Sequence, residues 1–283
     1  MIYIVGSIGS GKSTLTKLLS DDMRTKSYYE DVNNGLIKNM LEEFYSAGAK
    51  SRKQVSAMLQ VAFLTFRYQQ LKKALKERNS VLDSSLLSDY ILATNLYNRG
   101  EMDEASYNVY LTLNQEMQSN VNGSQFNGYP DLVVFLDISK EHEIEEIKHR
   151  GRKIETVDPK LVDYYHSVNK AYKDWYKGFY QSKVIRIDRD KLDFVNNSED
   201  KNTVLNLIEQ ELVNLGKLSR AEFVIIKNIR NTSIAEDWKC PIRNNYIDLY
   251  ADNKLPLQEF HKLMLQLNNE VDTKVKEGTI NGL

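Results

Sequence analysis

Gly6-Ser7-Ile8-Gly9-Ser10-Gly11-Lys12-Ser13 is the stretch that decides the fold. It satisfies G-x-x-x-x-G-K-[ST], the phosphate-binding loop or P-loop, and its surroundings fit. Ile2 to Val5 reads as a short buried parallel strand, and Ser13 to Met23 carries Leu15, Leu18 and Leu19 at helical spacing. Glycines let the backbone curl so that successive N–H groups point at phosphate oxygens, and the following helix adds its positive N-terminal end. The loop thus assigns Gly6, Ser7, Ile8, Gly9, Ser10, Gly11, Lys12, Ser13 and the adjoining Thr14 to a nucleotide's phosphates; a P-loop alone does not distinguish a GTPase, an ATPase motor or a small-molecule kinase. Lys12 is expected on the β- and γ-phosphates, and the Ser13 hydroxyl on Mg²⁺.

Working outward, elements alternate. Further strands are expected over Ser27–Val32, Val81–Asp83, Asp131–Asp137 and Val184–Ile187. Helices are expected over about Lys53–Arg78, Ser88–Asn98, Asp103–Ser119, Lys140–Arg150, Pro159–Tyr180 and 201–215, with a loop over Asn120–Pro130. This order predicts an α/β fold of the P-loop NTPase type: a five-stranded parallel sheet flanked by helices. Gly216 marks a change. Phe223–Ile226 and Tyr246–Tyr250 read as strands and Leu257–Val275 as a helix, giving a small C-terminal α/β extension over 216–283 beside a domain over 1–215.

Composition narrows the partners. The 283 residues carry 38 basic and 39 acidic side chains, so no overall basic field exists to hold a nucleic acid polymer. Cys240 is the only cysteine, which excludes an intramolecular disulfide or a Cys-rich zinc site. No apolar run is long enough for a membrane span, and the N-terminus lacks a signal-peptide pattern, so a cytoplasmic location is expected.

Several residues have the chemistry for the rest of a phosphoryl-transfer site. Arg150-Gly151-Arg152 follows the charged helix, and two guanidiniums on a glycine hinge suit a lid over the transferring phosphate. Glu30, at the end of the second strand, can accept the proton of an attacking hydroxyl. Asp83 ends the third strand, the usual place of a carboxylate near Mg²⁺. Gln60 and Arg67 are seven residues apart, close to two helical turns, and share a face where a nucleobase edge could pair with them. Each has a plainer alternative: a solvated strand end, a basic helix C-terminus, or partners within the protein.

Together these residues resemble the deoxynucleoside kinase family of deoxycytidine, deoxyguanosine and deoxyadenosine kinases, from Met1 to about Leu215. The resemblance rests on the P-loop, Tyr29-Glu30-Asp31-Val32, Gln60 with Arg67, Asp83-Ser84-Ser85 with Asp89, Tyr129-Pro130-Asp131-Leu132, Arg150-Gly151-Arg152 with Glu155, and Asp188 to Phe194. It implies ATP-dependent phosphorylation of a deoxynucleoside 5′-hydroxyl, purine preferred, with Glu30 as base and Lys12, Arg150, Arg152 and Asp83 at the reacting phosphate. Ser13 and Asp83 would serve Mg²⁺. Gln60, Arg67 and Asp89 would read the base, Glu155 and Tyr45 would hold the sugar 3′-hydroxyl, and Asp193 and Phe194 would line the adenine of ATP. A homodimer is the expected assembly.

Two positions depart from the family pattern. Asp31 replaces a proline, and Ser84 replaces an arginine expected near the reacting phosphate, for which Lys153 is a candidate substitute. Two other readings therefore stay open: a nucleoside monophosphate kinase of thymidylate-kinase type, and a nucleotide-binding regulatory protein with weak turnover.

Overall fold

The structure, a computed structural model, describes residues 1–30, 35–46, 49–119, 129–152, 155, 159–231, 246, 249–250 and 254–276. Asp31, Lys153, Cys240 and most of the expected 120–130 loop lie outside the described residues.

Five strands, β1 (Ile2–Gly6), β2 (Ser27–Tyr28), β3 (Val81–Asp83), β4 (Leu132–Asp137) and β5 (Lys183–Asp188), form one parallel sheet in the order β2-β3-β1-β4-β5. Ile4 is level with Asp83 on one side and Val134 on the other, and Gly6 with Leu136. The central strand therefore delivers the P-loop to the carboxyl edge of the sheet, next to Asp83. The described helices are α1 (Lys12–Met23), α2 (Gly35–Ser46), α3 (Ala49–Ala74), α4 (Leu86–Asn98), α5 (Glu104–Ser119), α6 (Lys140–Arg150), α7 (Pro159–Gly178), α8 (Ser198–Asn214), α9 (Arg220–Asn231) and α10 (Leu257–Lys276).

Side-chain alternation along β1 splits the interior into two cores. Tyr3 and Val5 join Phe44, Phe63, Leu64, Tyr110 and Tyr165 on the face covered by α2–α5 and α7. Ile2 and Ile4 join Leu15, Leu19, Val204 and Ile208 on the face covered by α1 and α8. Strands buried on both sides have no polar face, which is why they appear in the sequence as unbroken apolar runs. Among the described residues, no helix is long and apolar enough to cross a membrane.

Three expectations need correction. The second strand stops at Tyr28, so Glu30 lies two residues beyond the sheet instead of at a strand end. An additional helix, α2, fills the stretch after it, burying Ile37, Leu41 and Phe44. Phe223–Ile226 is helical, within α9, and the described residues of Tyr246–Tyr250 are helical too. All the regular structure described in the extension is helical. The apolar run misleads because α9 is buried on two sides: Ile226 reaches the core under α1 and α8, while Val224 and Ile225 pack with Phe260 and Met264 of α10.

The extension is joined to the sheet domain by charge as well. Arg230 donates to Asp22 of α1 at 2.9 Å and to Glu209 of α8 at 2.5 Å, and Glu209 is fully buried. Arg78 donates to Glu222 at 2.9 Å.

Candidate active site

The P-loop is held from three directions. Ser10 Oγ donates to the Ser7 carbonyl at 2.8 Å, tightening the curl. Gly11 takes φ +93° as it starts α1, a left-handed conformation that favours glycine. A Cβ there would also lie 3.1 Å from Phe194 Cζ. Arg189 is 2% exposed; its guanidinium stands 4.2 Å from the Phe194 ring centroid, while its Nε donates to the Ser10 carbonyl at 3.1 Å.

Lys12 folds over this loop, its Nζ donating to the Gly6 and Ser7 carbonyls at 3.0 and 2.8 Å. Burial lowers its pKa, and the Asp83 and Glu30 carboxylates act against that. Ser13 Oγ donates to Asp83 Oδ2. The other Asp83 oxygen is buried without a partner, and burial raises the carboxyl's pKa, opposed chiefly by Lys12. A hydroxyl and a carboxylate with a spare buried oxygen are the hard oxygen donors that Mg²⁺ takes, so the residues present fit that ion.

Beside the loop, one cavity is lined by Gly6, Ile8, Lys12, Glu30, Tyr45, Gln60, Arg67, Ser84, Arg150, Arg152 and Glu155, with Leu59, Phe63 and Val168 among its apolar walls. Arg67, 2% exposed, spans the polar side. It donates to Glu30 Oε1 at 2.6 Å and pairs through Nη1 with Asp89, which is fully buried behind it. A buried guanidinium between two carboxylates keeps its charge compensated, and removing one partner of such a group typically costs about 3–5 kcal/mol. Gln60, one face with Arg67 on α3, has a buried Oε1 with no partner. A buried amide oxygen left open costs about 1–3 kcal/mol unless a ligand answers it. Tyr45 belongs to the aromatic wall, edge-on to Phe44 at 5.5 Å, and burial raises its hydroxyl pKa.

Arg150 and Arg152, the residues expected to form a lid, meet at Glu155. Arg150 hydrogen-bonds to it, and Arg152 Nη1 lies 3.4 Å from its Oε1. Gly151, at φ +60°, ends α6 between the two arginines.

Of the residues expected from sequence, Lys12, Glu30, Tyr45, Gln60, Arg67, Arg150, Arg152 and Glu155 share this cavity, and Ser13, Asp83 and Asp89 stand directly behind it. Asp193 and Phe194 are elsewhere. Asp193 accepts from the Val195 and Asn196 backbone at 3.1 and 3.2 Å, and Phe194 is 1% exposed beneath the P-loop. Ser84 is buried at φ +70°, a conformation uncommon outside glycine and asparagine. Its N–H donates to the Ile4 carbonyl at 3.3 Å. Sequence reasoning misses Arg189, Glu143 and Asn169, which approach the P-loop from more than 130 residues away; no spacing in the sequence signals them. Tyr172, also on the cavity, is one aromatic in a helix rich in them, with its hydroxyl pKa pushed up to about 12 by burial.

Comparison with known proteins gives a consistent set of relatives. The family model described as deoxynucleoside kinase matches residues 2–214. A deoxyguanosine kinase of Lactobacillus johnsonii is 35% identical over 219 residues, covering 77% of this chain and 94% of the relative. A deoxyadenosine kinase of Lactobacillus acidophilus is 32% identical over 220 residues, covering 77% of this chain and 99% of the relative. Among solved structures, a deoxyadenosine kinase from M. mycoides with bound dATP aligns at TM-score 0.59 and 27% identity, covering 73% of this chain and 98% of that one.

Proposed function

The chain belongs to the deoxynucleoside kinase family, and from that premise we propose that it transfers the γ-phosphoryl group of ATP to the 5′-hydroxyl of a deoxynucleoside. The observation that carries this reading is the shared cavity: Glu30, Arg67 and Gln60 open onto the same space as Lys12 of the P-loop.

Glu30 takes the proton of the attacking hydroxyl. Arg67, held by Asp89 from behind, keeps the Glu30 carboxylate oriented for that task. Lys12, Arg150 and Arg152 meet the charge that develops on the transferring group, and the apolar walls exclude water that would compete as acceptor. Ser13 and Asp83 would hold Mg²⁺, which neutralises phosphate charge when bound. Lid closure frees the two arginines from Glu155 for phosphate, leaving Glu155 to accept from a sugar hydroxyl.

The acceptor's base falls to Gln60 and Arg67. A Gln amide with an open oxygen can pair with adjacent donor and acceptor atoms on a purine edge. The Lactobacillus relatives named for deoxyguanosine and deoxyadenosine support a purine preference. Measured kcat/KM values decide it: deoxyadenosine or deoxyguanosine should exceed deoxycytidine and thymidine, and the reverse order refutes the preference.

A monophosphate acceptor is disfavoured, since Glu30 would face its phosphate. The reading also includes a homodimer, checked by light scattering, and a cytoplasmic location.

A further inference from the structure

Glu143 takes no part in the chemistry above, yet it lies directly under the P-loop. Its side chain is fully buried on α6. Its helix seats the middle of the loop: at Gly9 (φ +79°) a Cβ would fall 3.2 Å from the Glu143 carbonyl oxygen and 3.2 Å from Ile147 Cγ1. The Ser7 hydroxyl and the Asn169 amide face the carboxylate. Neither carboxylate oxygen completes a hydrogen bond of full geometry, and Asn169 Oδ1 is likewise buried without a partner. The Asn169 amide nitrogen is already used, donating to the Ile138 carbonyl at 3.0 Å and reaching Ser7 Oγ at 3.5 Å. Ser7 and Asn169 are the donors that reach the carboxylate, and the cluster holds more acceptor oxygens than they can serve, so it is short of a further donor. A proton on Glu143 supplies one.

The surrounding charges act in two directions. The Ser7 and Asn169 hydrogen bonds, with Lys12 of the P-loop and Lys173 of α7, favour the ionised carboxylate, while burial outweighs them and pushes Glu143 up to about 7. Lys173 is also engaged by Asp137 at 3.3 Å. On α6 itself, His142 is paired with Glu146 at 3.5 Å and with Asp190 at 3.0 Å. When phosphates settle on the loop they bring negative charge close to Glu143 and compete for Lys12. Both changes favour the neutral carboxyl.

We propose that Glu143 is a positioning residue of the P-loop that takes up a proton as a nucleotide's phosphates bind, so that donor-nucleotide affinity falls as pH rises through neutrality. The proposal rests on the P-loop being the ATP site. The direction follows from linkage: a group whose pKa is higher in the complex than in the free protein favours binding below its free pKa. That gain is lost as pH passes the pKa of the complex.

The test is calorimetric titration of the whole chain with Mg-ADP at pH 7.5, in two buffers of different ionisation enthalpy. If binding raises the Glu143 pKa by one unit, about half a proton is taken up per nucleotide, and Kd weakens about tenfold between pH 6 and 9. Glu143→Gln keeps the side chain's size and cannot titrate; it should show no uptake and a flat profile. Glu143→Met serves the same comparison if the Gln variant does not fold. Uptake in the parent that disappears in either variant supports the proposal. No uptake in the parent, or uptake that survives the substitution, overturns it. Failure to bind nucleotide at any pH refutes the P-loop reading itself, and the proposal with it.

Discussion

Replacing Glu30 by Gln separates chemistry from binding. The carboxylate sits on the cavity, 27% exposed, and receives a hydrogen bond from Arg67 at 2.6 Å. Gln has nearly the same volume and keeps an acceptor oxygen, so Arg67 retains a weaker bond in front and its ion pair with Asp89 behind. The ground state should change little, with KM within about tenfold of the parent. The amide cannot take a proton at neutral pH. General-base assistance is worth about 10²–10⁴ in rate, so kcat should fall at least about 10²-fold, or about 3 kcal/mol of transition-state stabilisation. Steady-state kinetics with saturating Mg-ATP and a varied deoxynucleoside give both constants, and circular dichroism on the same preparation checks the fold. A Glu30→Gln enzyme with unchanged kcat and a raised KM would refute the base assignment and leave Glu30 a binding residue.

Lys12→Met should remove turnover while preserving the circular dichroism spectrum, because the ammonium contacts only loop carbonyls and the carboxylates beside it; retained turnover removes the P-loop lysine from the mechanism. Arg230→Met leaves Asp22 and fully buried Glu209 without their cation, at a cost of about 3–5 kcal/mol, or about 10 °C in thermal unfolding. Burial already raises the Glu209 pKa, so this loss should shrink at acid pH, where the carboxyl can be neutral; a loss equal at all pH values argues against the charge explanation. Ser84→Gly should raise the thermal midpoint by relieving about 1 kcal/mol at φ +70°, and an unchanged or lower midpoint shows that serine is at ease there.

The sheet was legible because β1, β3 and β4 are almost wholly buried and so read as short apolar runs, the first leading into a glycine loop of diagnostic spacing; β5, an edge strand with exposed Lys183 and Arg186, keeps only Val184, Ile185 and Ile187 as its apolar signal. The α2 helix was equally open to reading, from Ile37, Met40, Leu41 and Phe44 at helical intervals, but the β-rich Ser27–Val32 just before it reads as a strand and obscures where it starts. α9 was misread because Phe223-Val224-Ile225-Ile226 is an apolar run short enough to suit a strand, and the polar residues that mark the helical period flank it. Within the site, single side chains of distinctive chemistry were found. Their supports were not. Arg189 over Phe194 and Glu143 under Ser7 depend on chain segments brought together by the sheet, while Asp89, named through the resemblance, stands behind Arg67. Phe194, for which the resemblance implies the adenine of ATP, packs its ring against the space that Gly11 leaves open.

The account's central claim is that this cavity presents a deoxynucleoside hydroxyl to the P-loop. The most direct measurement is product analysis after incubation with Mg-ATP and, separately, each of four deoxynucleosides and four deoxynucleoside monophosphates. The account predicts 5′-monophosphate from at least one purine deoxynucleoside and no diphosphate from any monophosphate. Diphosphate from monophosphates alone, or no product from any acceptor by a protein that binds ATP, would contradict it.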